Sequence, residues 1–180
     1  PEPDRGSAAP AEPLTCPARS VLQAGWFGRV PGTFDGIASS TSVELGGTAA
    51  TLIAESPAGI VFLSPREPVG PVQIHLRDGT RSVTCRARSV RLDLSADRLA
   101  LDRGEKTKVH VTLAGLSGID EPVTFLLENE SPRIVRMAGG NSQTVTVAPG
   151  QVDEDGTHRT DRVVTGVTDG RFHLSARLLP

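Results

Sequence analysis

The residues of this chain best equipped for chemistry are four histidines, two cysteines and one acidic run. His75, His110, His158 and His173 each fall on the outward phase of an alternating segment or at its start. None has a second His or Cys at the short spacing of a metal-ligand pair, so all four read as surface histidines. Asp153-Glu154-Asp155-Gly156, with Asp161 close behind, is the one cluster with ligand potential. Calcium wants roughly six to eight hard oxygens, but here the EF-hand spacing breaks and its closing Glu is missing. A solvated acidic turn is the expectation, with calcium at Asp153 and Asp155 left open. No metal site is assigned.

Gly115-Leu-Ser-Gly118 superficially suggests a nucleophile elbow. Its second glycine comes one residue early and no strand-to-helix turn follows, so it is rejected. The carboxylates are scattered through turns, and no pair can be nominated for glycoside hydrolysis. Asn129-Glu-Ser131 is formally a glycosylation sequon, opposed by the following Pro132. No catalytic residue, cofactor or enzymatic activity is expected.

Cys16 and Cys85 are an even count without a Cys-x-x-Cys spacing. That suits one disulfide better than a metal site or redox pair, with two buried thiols as the alternative. A bridge over so long a loop is worth at most about 4 kcal/mol in chain-entropy terms. It would also indicate an oxidising, extracytoplasmic compartment.

The elements that must position these residues are short strands. Thr41–Leu45, Ala49–Ile53, Gly59–Leu63 and Val72–Leu76 are apolar alternations, each bounded by Gly, Pro, Ser or Asp-Gly turns. Such close spacing marks a sandwich or barrel. Arg81 to Arg88 places Val83, Cys85 and Ala87 on one face. Arg81, Arg86, Arg88 and Arg91 read as a solvated basic face. Around Ser89 to Arg91 the pattern restarts and yields seven more strands, beginning at Arg91 and ending at Arg171–Leu178. No stretch has a convincing helical period. The prediction is all-β: a Pro- and Ala-rich disordered leader over 1–13, then two tandem immunoglobulin-like β-sandwich domains over 14–89 and 90–180.

The Gly-rich passage from Gly25 to Gly36 holds Trp26, Phe27 and Phe34, in a chain with one Trp, five Phe and no Tyr. A plug for the end of a small core is the favoured role of these rings. An exposed ligand platform is the alternative, and any contact residues of the chain are expected among Trp26, Phe27 and Phe34.

Composition removes several functions. Net charge is −2 and 3% of residues are aromatic, which suits neither nucleic acid nor an anionic membrane. No apolar run approaches the roughly 18 to 20 residues of a bilayer span.

The first half resembles the IPT/TIG family of immunoglobulin-like domains. The resemblance rests on Thr41-x-Val43-x-Leu45-Gly-Gly47, Ala50, Ser56-Pro57, Pro65, and Gly70-Pro71-Val72-x-Ile74-x-Leu76 before Asp78-Gly79. It departs from the family at the opening strand, where Gly25 to Gly36 stands. The second half is similar to generic bacterial immunoglobulin-like domains at Arg103-Gly104, Gly115-Leu116, Pro122-Val123 and Asn129-x-Ser131-Pro132. These resemblances imply a non-enzymatic secreted, periplasmic or cell-surface module. It would act as a spacer or as a protein-binding or adhesive element, with edge-strand addition as one binding mode. The alternative is an accessory carbohydrate-binding module of a larger secreted enzyme, which burial of all three aromatic rings would remove. The partner is expected to be a protein or a surface glycan.

Overall fold

The computed structural model describes residues 13–16, 21–34 and 40–179. The expected leader lies outside them apart from Pro13, as does the start of the strand expected over 18–23. The described chain is all-β, and its one helical element is a 3-10 turn at Pro149–Gln151. In order the strands are β1 (Val21–Gln23), β2 (Phe27–Pro31), β3 (Thr41–Leu45), β4 (Thr48–Ala49), β5 (Thr51–Ser56), β6 (Gly59–Leu63), β7 (Gly70–Asp78) and β8 (Arg81–Ala96). They continue as β9 (Ala100–Leu101), β10 (Lys106–Ala114), β11 (Val123–Asn129), β12 (Val135–Met137), β13 (Ser142–Val147), β14 (Thr157–Gly166), β15 (Gly170–Arg171) and β16 (Leu174–Leu178).

One eight-stranded sheet runs β12-β14-β10-β8-β7-β3-β4, with β1 added in parallel to β8. A three-stranded sheet, β2-β6-β5, covers one end of it and a second, β13-β11-β16, covers the other. A small pair, β9 and β15, closes the second end. Two apolar cores result. Val30, Phe34, Val43, Leu45, Ile60, Phe62, Ile74 and Leu76 fill the first. Val111, Leu113, Leu116, Phe125, Leu127, Val135 and Val164 fill the second.

The break expected at Ser89–Arg91 is not a break: β8 passes straight through it. Cys85 and Ala87 belong to the first core, whereas Val90 belongs to the second and Leu92, Leu94 and Ala96 pack against it. Successive strand residues point to opposite faces. Odd positions of β8 therefore serve the first core and even positions the second, and the two cores lie on opposite faces of one strand. Ser89 and Val90, buried in succession, mark the exchange. β1 repeats the arrangement, with Leu22 in the first core and Val21 against the second. What looked in sequence like a new start is a change of face.

Along β8, β7 pairs up to Ser89 and β10 takes over from Arg91. The two strands abut, and Gly115 makes this possible. A Cβ there would lie 2.5 Å from the Ser89 carbonyl oxygen and 2.6 Å from the Gly70 nitrogen, at a φ of 91°. Arg88 clamps the same place. Its Nη1 donates to the Gly115 and Ser117 carbonyls at 2.8 Å, and Nη2 to the Gly118 carbonyl at 3.3 Å. The expected solvated basic face is thus largely engaged. Arg91 pairs with Glu67 and Asp93, and Arg81 with the fully buried Asp78.

Candidate functional site

Trp26 and Phe27 are 45% and 56% exposed, while Phe34 is 3% exposed. The core plug expected of all three rings is therefore made by Phe34 alone. The reason is local. Phe27 opens a strand rather than a loop, so the alternation of β2 turns Gly28 and Val30 inward and Phe27 and Arg29 outward. The space inside Gly28 is taken by Phe62 from β6, whose Cζ would lie 2.4 Å from a Cβ at that glycine. With that space filled, the neighbouring rings stay on the surface.

The turn carrying Trp26 is fixed on every side. Ala24 N–H donates to the Val90 carbonyl at 2.9 Å, and Gly25 N–H to the Pro65 carbonyl at 3.2 Å. The Trp26 carbonyl accepts from both the N–H and the hydroxyl of buried Ser64, each at 2.9 Å. Gly25 has a φ of 71° and sits against the stem of Arg66, so a side chain there meets both strain and contact. The two rings meet edge to face, centroids 5.8 Å apart and planes at 66°. That is a favourable aromatic pair, and it is not one flat platform.

Beside the pair lies a groove of about 510 Å³ lined by residues of β1, by Trp26, Phe27 and Arg29, and by Leu178 and Leu179. Its walls come from both ends of the chain, joined where Gln23 Oε1 accepts the Leu178 N–H at 2.8 Å. Arg29 lines the groove and the stem of Arg66 lies against Gly25, and among the described residues neither has a carboxylate partner. The site is an apolar groove with one arginine, Arg29, on its wall. It holds no nucleophile–base pair.

The remaining candidates have structural roles. Cys16 and Cys85 are bonded, with Cα atoms 5.6 Å apart, and tie the chain before β1 to the inner face of β8. His75 bonds Thr84 Oγ1 at 2.9 Å, and His158 Nδ1 bonds the Gln151 carbonyl at 2.8 Å. His110 lies between Asp161 (2.8 Å) and Asp97 (3.0 Å), whose carboxylates, Asp97 first, hold its pKa above the ordinary value. His173 is exposed. In the acidic loop, Asp155 accepts the Thr157 N–H at 3.0 Å and its hydroxyl at 2.6 Å, bonds that hold its carboxyl below the usual range. Arg159 pairs there with Asp153 and Asp155 at 3.5 and 3.6 Å, so a cation already sits between the two carboxylates. Among the described residues no group of acids, histidines or cysteines is arranged to hold a metal ion. Asn129 is buried, its Nδ2 donating to Val135 O and Asn141 Oδ1 and its Oδ1 accepting from Ser131 N. An amide so engaged is a core strut rather than a glycan acceptor.

Sequence reasoning missed Arg29, Arg66 and Leu178. For Arg29 a signal existed, the alternation of Phe27-Gly-Arg-Val-Pro31, hidden by the glycine. Leu178 arrives across the whole chain and leaves no local mark.

No profile of a known protein family matches the sequence, and no curated protein does. Several solved structures have partial likeness, among them the following three. The SGBP-B protein of the Bacteroides ovatus mixed-linkage glucan utilization locus, in complex with a mixed-linkage heptasaccharide, is 10% identical with a TM-score of 0.42 over 94% of this chain. Domains 4 and 5 of the S-layer protein SbsC are 15% identical with a TM-score of 0.30 over 82%. The Yersinia pseudotuberculosis adhesin InvE is 14% identical with a TM-score of 0.29 over 89%. This chain spans 53%, 68% and 56% of their respective lengths. Superposition at this level assigns neither a family nor a ligand.

Proposed function

We propose that the chain is a non-enzymatic surface or secreted module of two tandem immunoglobulin-like sandwiches, 14–89 and 90–180, the first of IPT/TIG type. It serves as a spacer that carries a protein-binding or adhesive contact, and that contact is the Trp26–Phe27 groove. The observation that carries this reading is the exposure of two adjacent aromatic rings, on a fixed turn, over a groove built by both ends of the chain. Continuous β8 supports the spacer role, since a ladder that runs unbroken between two cores resists bending at the place where a linker would allow it. The disulfide supports an oxidising location outside the cytoplasm. The second reading, a carbohydrate-binding module, is favoured by the exposed rings and opposed by their 66° angle, because sugar rings stack best on a flat face.

Trp26 is the sole tryptophan and the chain has no tyrosine, so its emission reports this site alone. The test titrates the protein with acidic, basic and neutral extended peptides and with neutral and acidic oligosaccharides. A saturable emission change with a peptide, lost in Phe27→Ala, is the expected result. A response to oligosaccharides alone selects the second reading. No response to any of these, with the fold intact by circular dichroism, removes the contact site.

A further inference from the structure

The groove's ligand class follows from the backbone of β2. Ser64 N–H donates to the Trp26 carbonyl and Gly32 N–H to the Ala58 carbonyl, at 2.9 and 3.4 Å. Both contacts continue the antiparallel β2–β6 register beyond its ends and fix its phase. In an antiparallel pair alternate residues exchange hydrogen bonds with the partner, and the others turn their N–H and C=O groups the opposite way. Gly28 and Val30 therefore bond β6, while Phe27, Arg29 and Pro31 direct their backbone groups to the far side. Among the described residues no strand pairs there: β2 is the edge of its sheet. Pro31 has no N–H, and its carbonyl is reached by Thr15 Oγ1 at 3.4 Å, so the open ladder ends at that residue. What remains is a short docking edge with N–H and C=O groups at Phe27 and Arg29, bordering the groove.

We infer, resting on the contact site proposed above, that this edge takes up an extended acidic polypeptide segment as an added strand along β2. The unmet hydrogen-bonding groups of Phe27 and Arg29 supply the main-chain contacts. The Trp26–Phe27 pair and the groove-lining Leu178 and Pro31 receive apolar side chains. Arg29 shares the outward face of β2 with Phe27 and receives an acidic side chain two residues along that same face, and Arg66, whose stem lies against Gly25, adds a second cation without a carboxylate partner. Charge complementarity and the open ladder together favour a polypeptide over a glycan, which has no backbone donors and acceptors at strand spacing.

The probe is a capped seven-residue peptide, Val-Val-Glu-Glu-Val-Val-Glu, whose every face alternates apolar and acidic side chains along the strand. Its control carries N-methyl groups on alternate residues, which remove backbone donors without changing charge or composition. Binding is read by Trp26 emission and by the amide resonances of Phe27 and Arg29. The Val/Glu peptide is expected to saturate and to shift both amides. The N-methylated control and a Val/Lys peptide should each bind about tenfold or more weakly, as loss of one or two hydrogen bonds or of charge complementarity implies. The double variant Arg29→Glu/Arg66→Glu should reverse the preference between Glu and Lys peptides. Equal binding of the N-methylated control overturns strand addition while leaving the contact site in place. Binding of hexagalacturonate in preference to the peptide overturns the ligand class on the same terms. If no probe moves Trp26 emission, the inference and the contact site fall together.

Discussion

The two cores on β8 are made from one strand and secured by different means. Among the described residues the second gathers fourteen buried apolar side chains and eleven partly buried ones around them, with the hydrogen-bonded Asn129 as a polar strut. The first has, among the described residues, thirteen buried side chains and three partly buried ones. It is held also by a covalent tie and a buried charge. Cys16 is bonded to Cys85, and Asp78, wholly buried, accepts from Thr41 Oγ1 at 3.1 Å and pairs with Arg81. The sheet end that carries an open edge and exposed rings is also the end that carries the staple.

The disulfide is where this contrast breaks most visibly. Its closing residues are 69 apart, and constraint of an unfolded loop that long is worth about 4 kcal/mol. Cys16→Ser/Cys85→Ala should cost an amount of that order, confined to the first core. Native-state hydrogen exchange is the measurement. Amides of β3 and β7 should lose protection steeply while those of β10 and β11 keep theirs. Equal loss in both sets would mean that β8 makes the two cores a single cooperative unit.

How much of this was legible in the sequence follows the same division. Strands β3, β7, β10 and β11 announced themselves because each has one covered face and alternates along most of its length, and β6 because it is a short apolar run between turns. The inward phase of Cys85 was read from Val83 and Ala87 on the same grounds. Three things were not legible. β2 was taken for loop because Gly28, an inward position, has no side chain: Phe62 fills it from another strand. β8 was read as two strands because a change of covered face and a chain break produce the same out-of-phase pattern. The groove joins Trp26 to Leu178, and no local periodicity encodes a contact of that separation. The arginines of β8 looked like a solvated face because nearly all their acceptors, the carbonyls of Thr33, Gly115, Ser117 and Gly118 and the carboxylates of Asp78 and Glu67, lie on other segments.

Arg88 offers a middle-sized test of how firmly the two ends are joined. Arg88→Met keeps the apolar stem and removes the donors to the Gly115, Ser117 and Gly118 carbonyls. Those acceptors are partly open to water, so the loss should be about 1–2 kcal/mol. It should appear as earlier exchange of the amides at 115–119 and a wider separation between the unfolding of the two cores by calorimetry. Unchanged exchange in that loop would transfer the junction's strength to the β1 and β8 ladder alone.

The smallest expected effect belongs to the second core, where His110 bridges β10 to its neighbours. Nδ1 faces Asp161 on β14 and Nε2 faces Asp97 just beyond β8, so only the doubly protonated ring donates to both. The two carboxylates hold the folded-state pKa above the ordinary 6.5. A group whose pKa is raised on folding contributes fully below its unfolded value, and that contribution is lost as pH climbs through the folded one. The wild type should therefore exceed His110→Gln in urea midpoint at pH 5.5, and the gap should narrow by pH 9. All three side chains are substantially exposed, so screening keeps the effect small and added salt should shrink it further. A gap that widens with pH would mean that the neutral ring, donating to one carboxylate only, is the form the fold prefers.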